Sequence, residues 1–455
     1  MDATPLETLA RWSGGTLISG DPSRKVSVVC SDSRRLGPGD LFVALRGEKF
    51  DAHTFLAEAA RLGAAAAIVE QVTPDLPGNF GIIKVANSLI ALQRLSAGYR
   101  QSLSLRVVGI TGSNGKTSTK DLAAAVLGER FRVTKTQGNL NNHIGMPLTM
   151  LSARGSDEIG VFEMGMNHPG EIAPLAALAK PDVAIITNIG VAHIEFMKTR
   201  EAIALEKGML AEALPDEGTV ILSARDEFTP SIAGRTKARA VLAGIGAGEV
   251  QANELQAGPT GTRFQLSADG LSVPAEVPVP GEHMVQNAVL AAAVGRTFGL
   301  SLEESAAGFH KLNLSKGRLE LKYARGIQIL DDTYNANPDS MAAALRTLAS
   351  LPTSGRRIAV LGAMGELGAQ AESGHRSVGE TAARERIDCV ITVGEAAALI
   401  AESAKTGGVP LVREMKSTEE AAALLNDLAK TGDLVLIKGS RSAKMERIVE
   451  ALLTS

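Results

Sequence analysis

Aromatic residues, cysteines and a surplus of charge of either sign are all scarce in this chain of 455 residues. Aromatic side chains make up 3% of it, which argues against the stacking platforms that bind nucleic-acid bases. The formal net charge is -3, so no field of one sign indicates binding to nucleic acid or to a membrane surface. With 45% hydrophobic and 21% charged residues, the composition is typical of a globular enzyme.

The chain also lacks paired cysteines and long apolar runs. Cys30 and Cys389 lie far apart without metal-like spacing, in apolar runs typical of buried strands, and we expect inert core thiols in a reducing compartment. No apolar stretch reaches the roughly 18 residues of a membrane span, and the first residues form no basic leader region. We therefore expect a cytoplasmic protein and, since nothing in the sequence suggests an obligate oligomer, a monomer.

What the chain does contain is a glycine-rich turn between an apolar run and a helical segment. This phosphate loop, residues 111–118, reads Thr111-Gly112-Ser113-Asn114-Gly115-Lys116-Thr117-Ser118. Gly112 and Gly115 allow backbone N–H groups and a helix N-terminus to face phosphate groups, and Lys116 supplies a positive charge. The hydroxyl of Thr117 or Ser118 can hold Mg²⁺, so the loop predicts a nucleoside triphosphate site.

The phosphate loop is a variant. The usual pattern has four residues between its first glycine and the Gly-Lys pair, whereas Ile110 takes that first position here and Gly112 stands closer. A GTPase would also carry an Asn-Lys-x-Asp string for reading the base, and that string does not occur in the sequence. ATP is therefore the expected nucleotide.

Length and pattern predict three domains of an α/β protein. Residues 1–100 are interpreted as a small mixed α/β domain, residues 101–314 as a central ATPase domain of the P-loop type, and residues 315–455 as a Rossmann-like domain. Strands alternate with helices in the last two, which predicts parallel sheets with helices on both faces. We expect a hinge near residues 313–317 and a loop at the glycine- and alanine-rich residues 244–258.

Polar residues that follow buried strands are the candidates for chemistry, because ligands bind at the carboxyl ends of parallel strands. Glu163 ends the apolar run at residues 159–162, where a carboxylate would complete a Mg²⁺ site beside Thr117. His193 comes shortly after the run at residues 183–186. We expect the carboxylate and the imidazole to converge on the phosphate loop.

Three further residues are candidates for the site, although their sequence context supports them less strongly. Lys207 lies in a helical segment and on residue type alone is interpreted as a solvated lysine. A cationic amine cannot ligate Mg²⁺, so Lys207 could do so only as its CO₂ adduct, a carbamate. Asn287 lies near the start of an alanine-rich helix and could present its amide to an adenine edge, whereas Arg318 places a bidentate donor just past the hinge.

Two polar clusters follow strands of the third domain. Residues 331–338 are too polar to be chance turn filler. Residues 438–441 are interpreted either as a clamp for an anionic substrate or as a plain turn at a strand end. The clusters contribute the candidates Asp332, Asn335, Asn337, Lys438, Ser440 and Arg441.

Together these segments resemble the Mur ligases along essentially the whole chain. The resemblance is carried by Asp32-Ser33-Arg34 with residues 38–45, the phosphate loop with its shortened spacing, residues 163–165, 170–172, 187–189, 331–341 and 438–441. The likeness is greatest to members that join D-Ala-D-Ala to UDP-N-acetylmuramoyl-tripeptide. It implies formation of the UDP-linked pentapeptide, ADP and phosphate for the synthesis of peptidoglycan, the cell-wall polymer.

The resemblance implies a reaction and its cofactors, ATP and Mg²⁺. The substrate carboxylate would attack the γ-phosphate of ATP, and the amine of D-Ala-D-Ala would attack the resulting acyl phosphate. The N-terminal domain would hold the UDP end, and the C-terminal domain would close over the site and bring the dipeptide. The physics fits, because a carboxylate acylates poorly until phosphorylated and a closed site keeps water from the acyl phosphate.

The resemblance also implies roles for the central candidates. Lys116 and Thr117 would hold the phosphates and a first Mg²⁺, and Glu163 would complete that metal site. His193 matches a ligand of a second Mg²⁺, and Lys207 falls where relatives carry a carbamoylated lysine. The loop that follows His193 departs from the family, whose members commonly have glycine and serine there, so we expect its shape to differ.

The remaining implied roles concern the nucleotide and the substrate. Asn287 would read adenine, Arg318 would reach the γ-phosphate from across the hinge, and Asp332 would hold the ribose. Ser33 and Arg34 would contact the uridine-diphosphate end.

Three alternatives stay open. A related Mur ligase that adds the third amino acid typically has Asp-Asn-Pro-Arg in its last domain, where this chain has residues 362–368 instead. A folylpolyglutamate synthetase is the second alternative. A nucleotide-binding module without ligase activity is the third, and it would leave residues 331–338 unexplained.

Overall fold

Short buried strands alternate with helices along most of the chain. The computed structural model describes residues 1–47, 50–72 and 76–454. Within these ranges the strands form an N-terminal sheet, a central sheet and a C-terminal sheet, together with one separate strand pair. None of the helices in the described ranges combines the length and the apolar character that crossing a membrane demands.

The N-terminal sheet is small and mixed. The elements of this part are β1 Thr4–Pro5, α1 Leu6–Ser13, β2 Thr16–Ser19, β3 Lys25–Val26, β4 Val29–Cys30, β5 Leu41–Val43, α2 Leu56–Arg61, β6 Ala66–Val69, β7 Gly81–Lys84 and α3 Ser88–Gln101. The strands lie in the order β2-β7-β6-β5-β4, with β2 antiparallel to its neighbour and the others parallel. The strands β5 and β6 are buried along their length, which is typical of a sheet covered on both faces.

The central sheet is larger and mostly parallel. Its part of the chain contains β8 Arg106–Thr111, α4 Lys116–Leu127, β9 Val133–Lys135, α5 Gly145–Met150, β10 Ile159–Glu163, α6 Ile172–Ala179, β11 Val183–Ile186, α7 Ile194–Met197, α8 Arg200–Glu212, β12 Thr219–Ser223, α9 Thr229–Ala233, β13 Arg239–Ile245, β14 Val250–Ala257, β15 Thr262–Ala268, β16 Leu271–Val277, α10 Glu282–Thr297 and α11 Leu302–His310. The order is β16-β15-β14-β13-β12-β11-β8-β10-β9. The direction of strand addition reverses at β8, and such a reversal opens a crevice at the carboxyl ends of the strands.

The expected loop at residues 244–258 is wrong. The strand β14 spans most of it and pairs with β15, which in turn pairs with β16, so an antiparallel extension completes the central sheet. Gly246 and Gly248 supply positive φ angles of 62° and 102° at the turn before β14, and Val250 and Ala252 are buried on one face of that strand. The glycines therefore mark a tight turn, and the strand that follows has only a few buried apolar residues, which is why the sequence did not reveal it.

The C-terminal sheet repeats the parallel plan with one antiparallel edge. Its elements are β17 Glu320–Ala324, β18 Ile327–Asp332, α12 Pro338–Ser350, β19 Arg357–Gly362, α13 Ala371–Arg384, β20 Cys389–Val393, α14 Ala398–Thr406, β21 Leu411–Met415, α15 Thr418–Leu428, β22 Leu434–Lys438 and α16 Glu446–Thr454. The order is β17-β18-β22-β19-β20-β21, with β17 antiparallel to β18. The edge strand β17 was not predicted from the sequence.

Packing joins the central and C-terminal sheets. One cluster of buried apolar side chains extends from Val107 and Ile110 of the central sheet to Leu330 and Leu361 of the C-terminal sheet. In the connection between the two sheets, the backbone N–H and the hydroxyl of Ser315 both donate to the buried carboxylate of Asp121, at 3.2 and 3.0 Å. The segment predicted as a hinge is thus tied to the helix that follows the phosphate loop.

The two cysteines differ in burial. Cys389 is buried in β20, and burial raises the pKa of its thiol to about 11. Cys30 lies in β4 but is only half-buried, so the expectation of a core thiol is wrong for it; its Sγ donates to the carbonyl oxygen of Asp32 at 3.2 Å. The edge position of β4 in the N-terminal sheet explains the exposure.

Candidate active site

The carboxyl ends of both large sheets face one cavity. Loops that follow β8, β10 and β11 line it from the central side, and loops that follow β18, β19 and β22 line it from the C-terminal side. The cavity volume is about 1370 Å³, and residues of the helix α3 also line it. Ligands of open α/β sheets bind at such edges, so this cavity is the candidate active site.

Most of the predicted site residues line this cavity. Those of the central part are Ser113, Asn114, Gly115, Lys116, Thr117, Ser118, Glu163, His193 and Asn287. Those of the C-terminal part are Arg318, Asp332, Asn335, Asn337, Lys438, Ser440 and Arg441. Gly112, Lys207, Ser33 and Arg34 are not among the residues that line it within the described ranges.

The end of β11 holds the phosphate loop in place. The backbone N–H groups of Ser113 and Asn114 donate to the backbone and side-chain oxygens of Asn188, each at 2.9 Å. The hydroxyl of Thr187 donates to the carbonyl of Asn114 at 2.5 Å. A Cβ atom at Gly112 would lie 1.8 Å from that hydroxyl oxygen, so only glycine fits there.

Lys116 is the first residue of α4 and is half-buried beside the cavity. Its Nζ donates to the carbonyl oxygens of Gly112 and Ser113 at 2.8 and 3.4 Å, so the amine folds back over its own loop. Desolvation lowers the pKa of Lys116; the charge of Glu163 opposes this and that of Arg318 adds to it. A partly desolvated cation that rests on backbone carbonyls is suited to meet an anion.

Thr117 and Glu163 form a buried pair of oxygen donors. The Thr117 hydroxyl donates to Oε2 of Glu163 at 2.9 Å, and the side chain of Asn141 donates to Oε1 at 2.8 Å. In the described ranges no three His, Cys, Asp or Glu side chains are grouped as metal ligands. One carboxylate and one hydroxyl beside a phosphate site nevertheless fit Mg²⁺, which prefers oxygen, retains waters and takes further ligands from phosphates.

His193 meets a carboxylate from the C-terminal sheet. Its Nδ1 lies 2.6 Å from Oε2 of Glu366, a residue of the loop after β19. Both residues have left-handed backbones, with φ of 62° at His193 and 61° at Glu366, a conformation that costs about 1 kcal/mol or more in residues other than glycine. Desolvation lowers the pKa of His193, although the hydrogen bond to Glu366 opposes it, and that bond lowers the pKa of Glu366.

Lys207 is buried in α8 with 1% of its surface exposed, which excludes the interpretation as a solvated lysine. Desolvation and the charge of Lys116 hold the pKa of Lys207 well below its ordinary value. The charge of Lys207 also lowers the pKa of His193. The neighbouring Glu206 accepts from the backbone N–H groups of Gly170 and Ile172, each at 2.8 Å, and so caps α6.

Asn287 and Gly115 are in close contact. Asn287 is buried in α10, and a Cβ atom at Gly115 would lie 2.5 Å from its Oδ1, so this approach requires glycine with its φ of 78°. His283 of the same helix is near Asp332 and Lys438, and desolvation lowers the pKa of His283 to about 4. The helix α10 therefore presents an amide and a neutral imidazole at the boundary between the sheets.

The guanidinium of Arg318 has a buried N–H group that is free to bind an anion. Its guanidinium carbon lies 4.2 Å from the ring centroid of Tyr334, and its Nε is buried with no hydrogen-bond partner among the described residues. A buried donor of a cation is costly to leave unpaired. Because Arg318 also lines the cavity, an anionic ligand is the natural partner.

Asp332 and Lys438 form a buried ion pair at the ends of β18 and β22. The Nζ of Lys438 donates to the Asp332 carboxylate at 2.6 Å and to the carbonyl oxygen of Asn335 at 2.9 Å, and Lys438 is 3% exposed. Ser440 is buried next to it, and Arg441 is exposed and paired with Glu446 at 3.1 Å. The pair orients the cluster predicted at residues 331–338.

The Ser33 and Arg34 turn lies apart from the cavity wall, in the N-terminal part. Asp32 caps this turn, and Arg34 is paired bidentately with that carboxylate, with both distances 2.8 Å. The Arg34 side chain is 85% exposed. The turn thus places hydrogen-bond donors on the protein surface, separate from the cavity.

Sequence reasoning missed Asn141, Glu366 and Asp339. Asn141 holds Glu163, Glu366 meets His193, and the Asp339 carboxylate accepts from the backbone N–H of Val191 at 3.1 Å. Asn141 and Glu366 follow strands β9 and β19, so the rule that found Glu163 could have found them. Asp339 lies in the first turn of α12, where an acidic residue is explained by the helix dipole alone.

Family models cover most of the chain in three parts. Residues 25–100 match the Mur ligase family, catalytic domain; residues 110–295 match the Mur ligase middle domain. Residues 317–441 match the Mur ligase, glutamate ligase domain.

Individual relatives extend these matches. The chain is 40% identical over 404 residues to the UDP-N-acetylmuramoyl-tripeptide–D-alanyl-D-alanine ligase of Bacillus subtilis (strain 168), covering 88% of this chain and 87% of that protein. It is 32% identical to a crystal structure of MurF from Acinetobacter baumannii, with a TM-score of 0.91 and 100% of both chains covered. A MurF ligase from Thermotoga maritima in complex with ADP is 30% identical, with a TM-score of 0.83 over 94% of this chain and 97% of that one.

The fold and the site define a nucleotide-binding α/β enzyme of the ligase class. The chain belongs to the Mur ligase family. The predicted resemblance and the predicted three-part α/β fold are thereby confirmed.

Proposed function

We propose that this chain joins D-Ala-D-Ala to UDP-N-acetylmuramoyl-tripeptide, with ATP as the energy source, to give the UDP-linked pentapeptide, ADP and phosphate. The observation that carries the proposal is the cavity in which a phosphate loop and a carboxylate from one sheet face Arg318 and Lys438 from the other. The curated relative from Bacillus subtilis, which bears the name of this activity, supports it. ATP and a nucleotide-linked precursor are cytoplasmic metabolites, so we propose that the enzyme is cytoplasmic. We also propose that it acts as a monomer.

The phosphate loop would bind the triphosphate of ATP. Lys116 would exchange its contacts with loop carbonyls for phosphate oxygens, and the unpaired Nε of Arg318 would find an acceptor on the terminal phosphate. Asn287 would bind the adenine edge, and Asp332 would accept from the ribose. Bound Mg²⁺ would neutralise phosphate charge, and Thr117 and Glu163 are the side chains that would hold it.

The chemistry would proceed in two steps. Arg318 and Lys116 would orient the γ-phosphate for attack by the substrate carboxylate, which forms an acyl phosphate and releases ADP. The amine of D-Ala-D-Ala would then attack the acyl carbon, and the tetrahedral intermediate would expel phosphate to leave the amide. The position of the reacting groups between the two sheets would limit the access of water to the acyl phosphate.

Lys207 would act as its carbamate. Only a neutral amine adds to CO₂, and burial favours the neutral form of Lys207 by lowering its pKa. As cations, Lys116, Lys207 and His193 would repel one another and any metal ion. Addition of CO₂ to the neutral Lys207 amine, with loss of a proton, would give a negatively charged carbamate, which suits a second Mg²⁺ beside His193.

The two substrates would contact different parts of the chain. Residues of the C-terminal part, including Asn335, Asn337, Ser440 and Arg441, would bind the incoming dipeptide and peptide stem. Ser33 and Arg34 would contact the uridine-diphosphate end, from a surface outside the cavity wall. A long substrate that reaches from one surface to the other would span that separation.

The test is phosphate release from Mg-ATP with purified protein, UDP-N-acetylmuramoyl-tripeptide and D-Ala-D-Ala, with each component omitted in turn. Release that requires all components, with the pentapeptide identified by mass, is the expected result. Release without D-Ala-D-Ala and without pentapeptide would contradict the proposed acceptor. Assays with single amino acids as acceptors, and with folates as substrates, would then distinguish a ligase that adds the third residue from a folylpolyglutamate synthetase.

A further inference from the structure

The loop after β19 docks on the turn that carries His193. Besides the contact between Nδ1 of His193 and the Glu366 carboxylate, the backbone carbonyl of Glu366 accepts from the N–H of Glu195 at 3.1 Å. A Cβ atom at Gly368 would lie 3.1 Å from Cα of Glu195, so the two backbones approach closely. A side-chain contact, a backbone hydrogen bond and backbone packing therefore converge on one short turn.

The geometry determines the state of the imidazole. An ionised carboxylate only accepts hydrogen bonds, so the Nδ1 of His193 carries the proton in this contact. The other ring nitrogen, Nε2, then carries the free lone pair, and His193 is one of the residues that line the cavity. Carboxylates commonly fix a histidine in this way so that its second nitrogen can accept or ligate.

Backbone conformation adds an independent observation. Glu366 and His193 are two of the residues other than glycine that have positive φ angles, and they face each other across the boundary between the sheets. Glycine would take a φ of 61° without strain, whereas glutamate pays a conformational cost there, and the hydrogen bond of its side chain to His193 can offset that cost. The contact with His193 is the one hydrogen bond of the Glu366 side chain among the described residues.

We infer that Glu366 is a positioning residue of the reaction. Brought by the C-terminal part, it orients the His193 ring and fixes its tautomer, so that this part of the site is complete only when the C-terminal sheet lies against the central one. The inference deepens the proposed function and uses its assay for one readout. Glu366 would act through His193 and would need no contact with a substrate.

Glu366→Gly is the informative variant, because it deletes the carboxylate while relieving the backbone. We expect kcat to fall about tenfold or more, as for other partners of functional histidines, with KM for ATP little changed and with no loss of thermal stability. Glu366→Gln keeps an oxygen that can accept from Nδ1 and should recover part of the rate. Glu372→Gln removes an exposed carboxylate of the nearby α13, which is paired with Arg376, and should leave kcat unchanged.

A spectroscopic readout separates positioning from mere structure. The chain has seven histidines, so ¹⁵N-histidine labelling with His193→Gln as the assignment variant isolates the two ring nitrogens of His193. In the unmodified protein the Nδ1–H tautomer should dominate, and in Glu366→Gly the tautomers should mix. A wild-type kcat in Glu366→Gly, or an unchanged tautomer in that variant, would overturn the inference. Absence of ligase activity in the unmodified protein would contradict the proposed function instead, and the tautomer would still decide the role of Glu366.

Discussion

Lys116 is a candidate phosphate ligand, and its position in the folded chain is unfavourable for a charged amine. Its amine is desolvated, its pKa is lowered, and its hydrogen bonds go to carbonyls of its own loop. A lysine whose pKa falls on folding makes the folded state less stable while it is charged, so its removal should not destabilise the fold. The cost of keeping the charge there is offset when an anion binds.

We therefore expect Lys116→Ala to lose turnover by about 100-fold or more with an unchanged or raised free energy of unfolding. Steady-state phosphate release and chemical unfolding check the two halves. Lys237→Ala is the matched control, since Lys237 lies just before β13 of the same sheet, has a side chain that is 82% exposed and is paired with Asp216 at 3.6 Å. Near-normal turnover of Lys116→Ala would show that the loop lysine does not bind phosphate.

Substitution of Lys207 tests the proposed carbamate. Lys207→Ala should be almost inactive, because a buried site beside Lys116 would lose the proposed carbamate. A small carboxylate added to the assay should recover part of the rate by entering the space of the missing side chain. Lys207→Met fills that space with a similar apolar chain, so it should be inactive and resist rescue. Full activity of unrescued Lys207→Ala would contradict the metal role.

At the scale of elements, the phosphate loop depends on its first glycine. A Cβ at Gly112 would meet the Thr187 hydroxyl, which itself holds the carbonyl of Asn114. Gly112→Ala should therefore displace the end of β11 or the loop and cost about 1–3 kcal/mol of unfolding free energy. ATP affinity, measured by calorimetry, should fall with it. Gly78→Ala, at a position with no atom within 4 Å of the added Cβ, should change neither quantity.

Element patterns also show what the sequence could predict. The buried strands β8, β10, β11 and β20 have continuous apolar runs bounded by polar turns, so their positions were predictable within a residue or two. The strand β14 alternates buried and half-buried residues only over its first part, and β17 has no buried residue, so neither has the continuous apolar run of a buried strand.

Candidate residues divide in the same way. Glu163 and Lys438 end predicted strands, and the strand-end rule was enough to find them. The pairing of His193 with Glu366 depends on how the two sheets meet, which no local pattern records. Burial of Lys207 was equally hidden, because α8 has polar residues on several sides and its packing against α6 is a property of the assembled chain.

At the scale of the whole molecule, the phosphate loop is connected directly to the C-terminal part. The side-chain amide of Asn337 donates to Oδ1 of Asn114 at 2.8 Å, and the same side chain caps α12 through its oxygen, which accepts from the N–H of Ser340 at 2.9 Å. The Asp339 contact with Val191 lies beside it. The start of α12 thus contacts the phosphate loop directly, and we expect this contact to help hold the two sheets together.

The substitution Asn337→Asp separates the capping of α12 from the contact with Asn114. Aspartate caps a helix about as well as asparagine, so the free energy of unfolding should change by less than about 0.5 kcal/mol. The donor to Asn114 is lost and a carboxylate faces a carbonyl oxygen, so the nucleotide-free protein should have a larger radius of gyration in small-angle X-ray scattering, and kcat should fall. Asn426→Asp, a change of the same type on α15 away from the cavity, serves as the control. An unchanged radius together with unchanged turnover would mean that the contact between Asn337 and the phosphate loop does not hold the two sheets together, and that the apolar cluster shared by Ile110 and Leu330 is sufficient to do so.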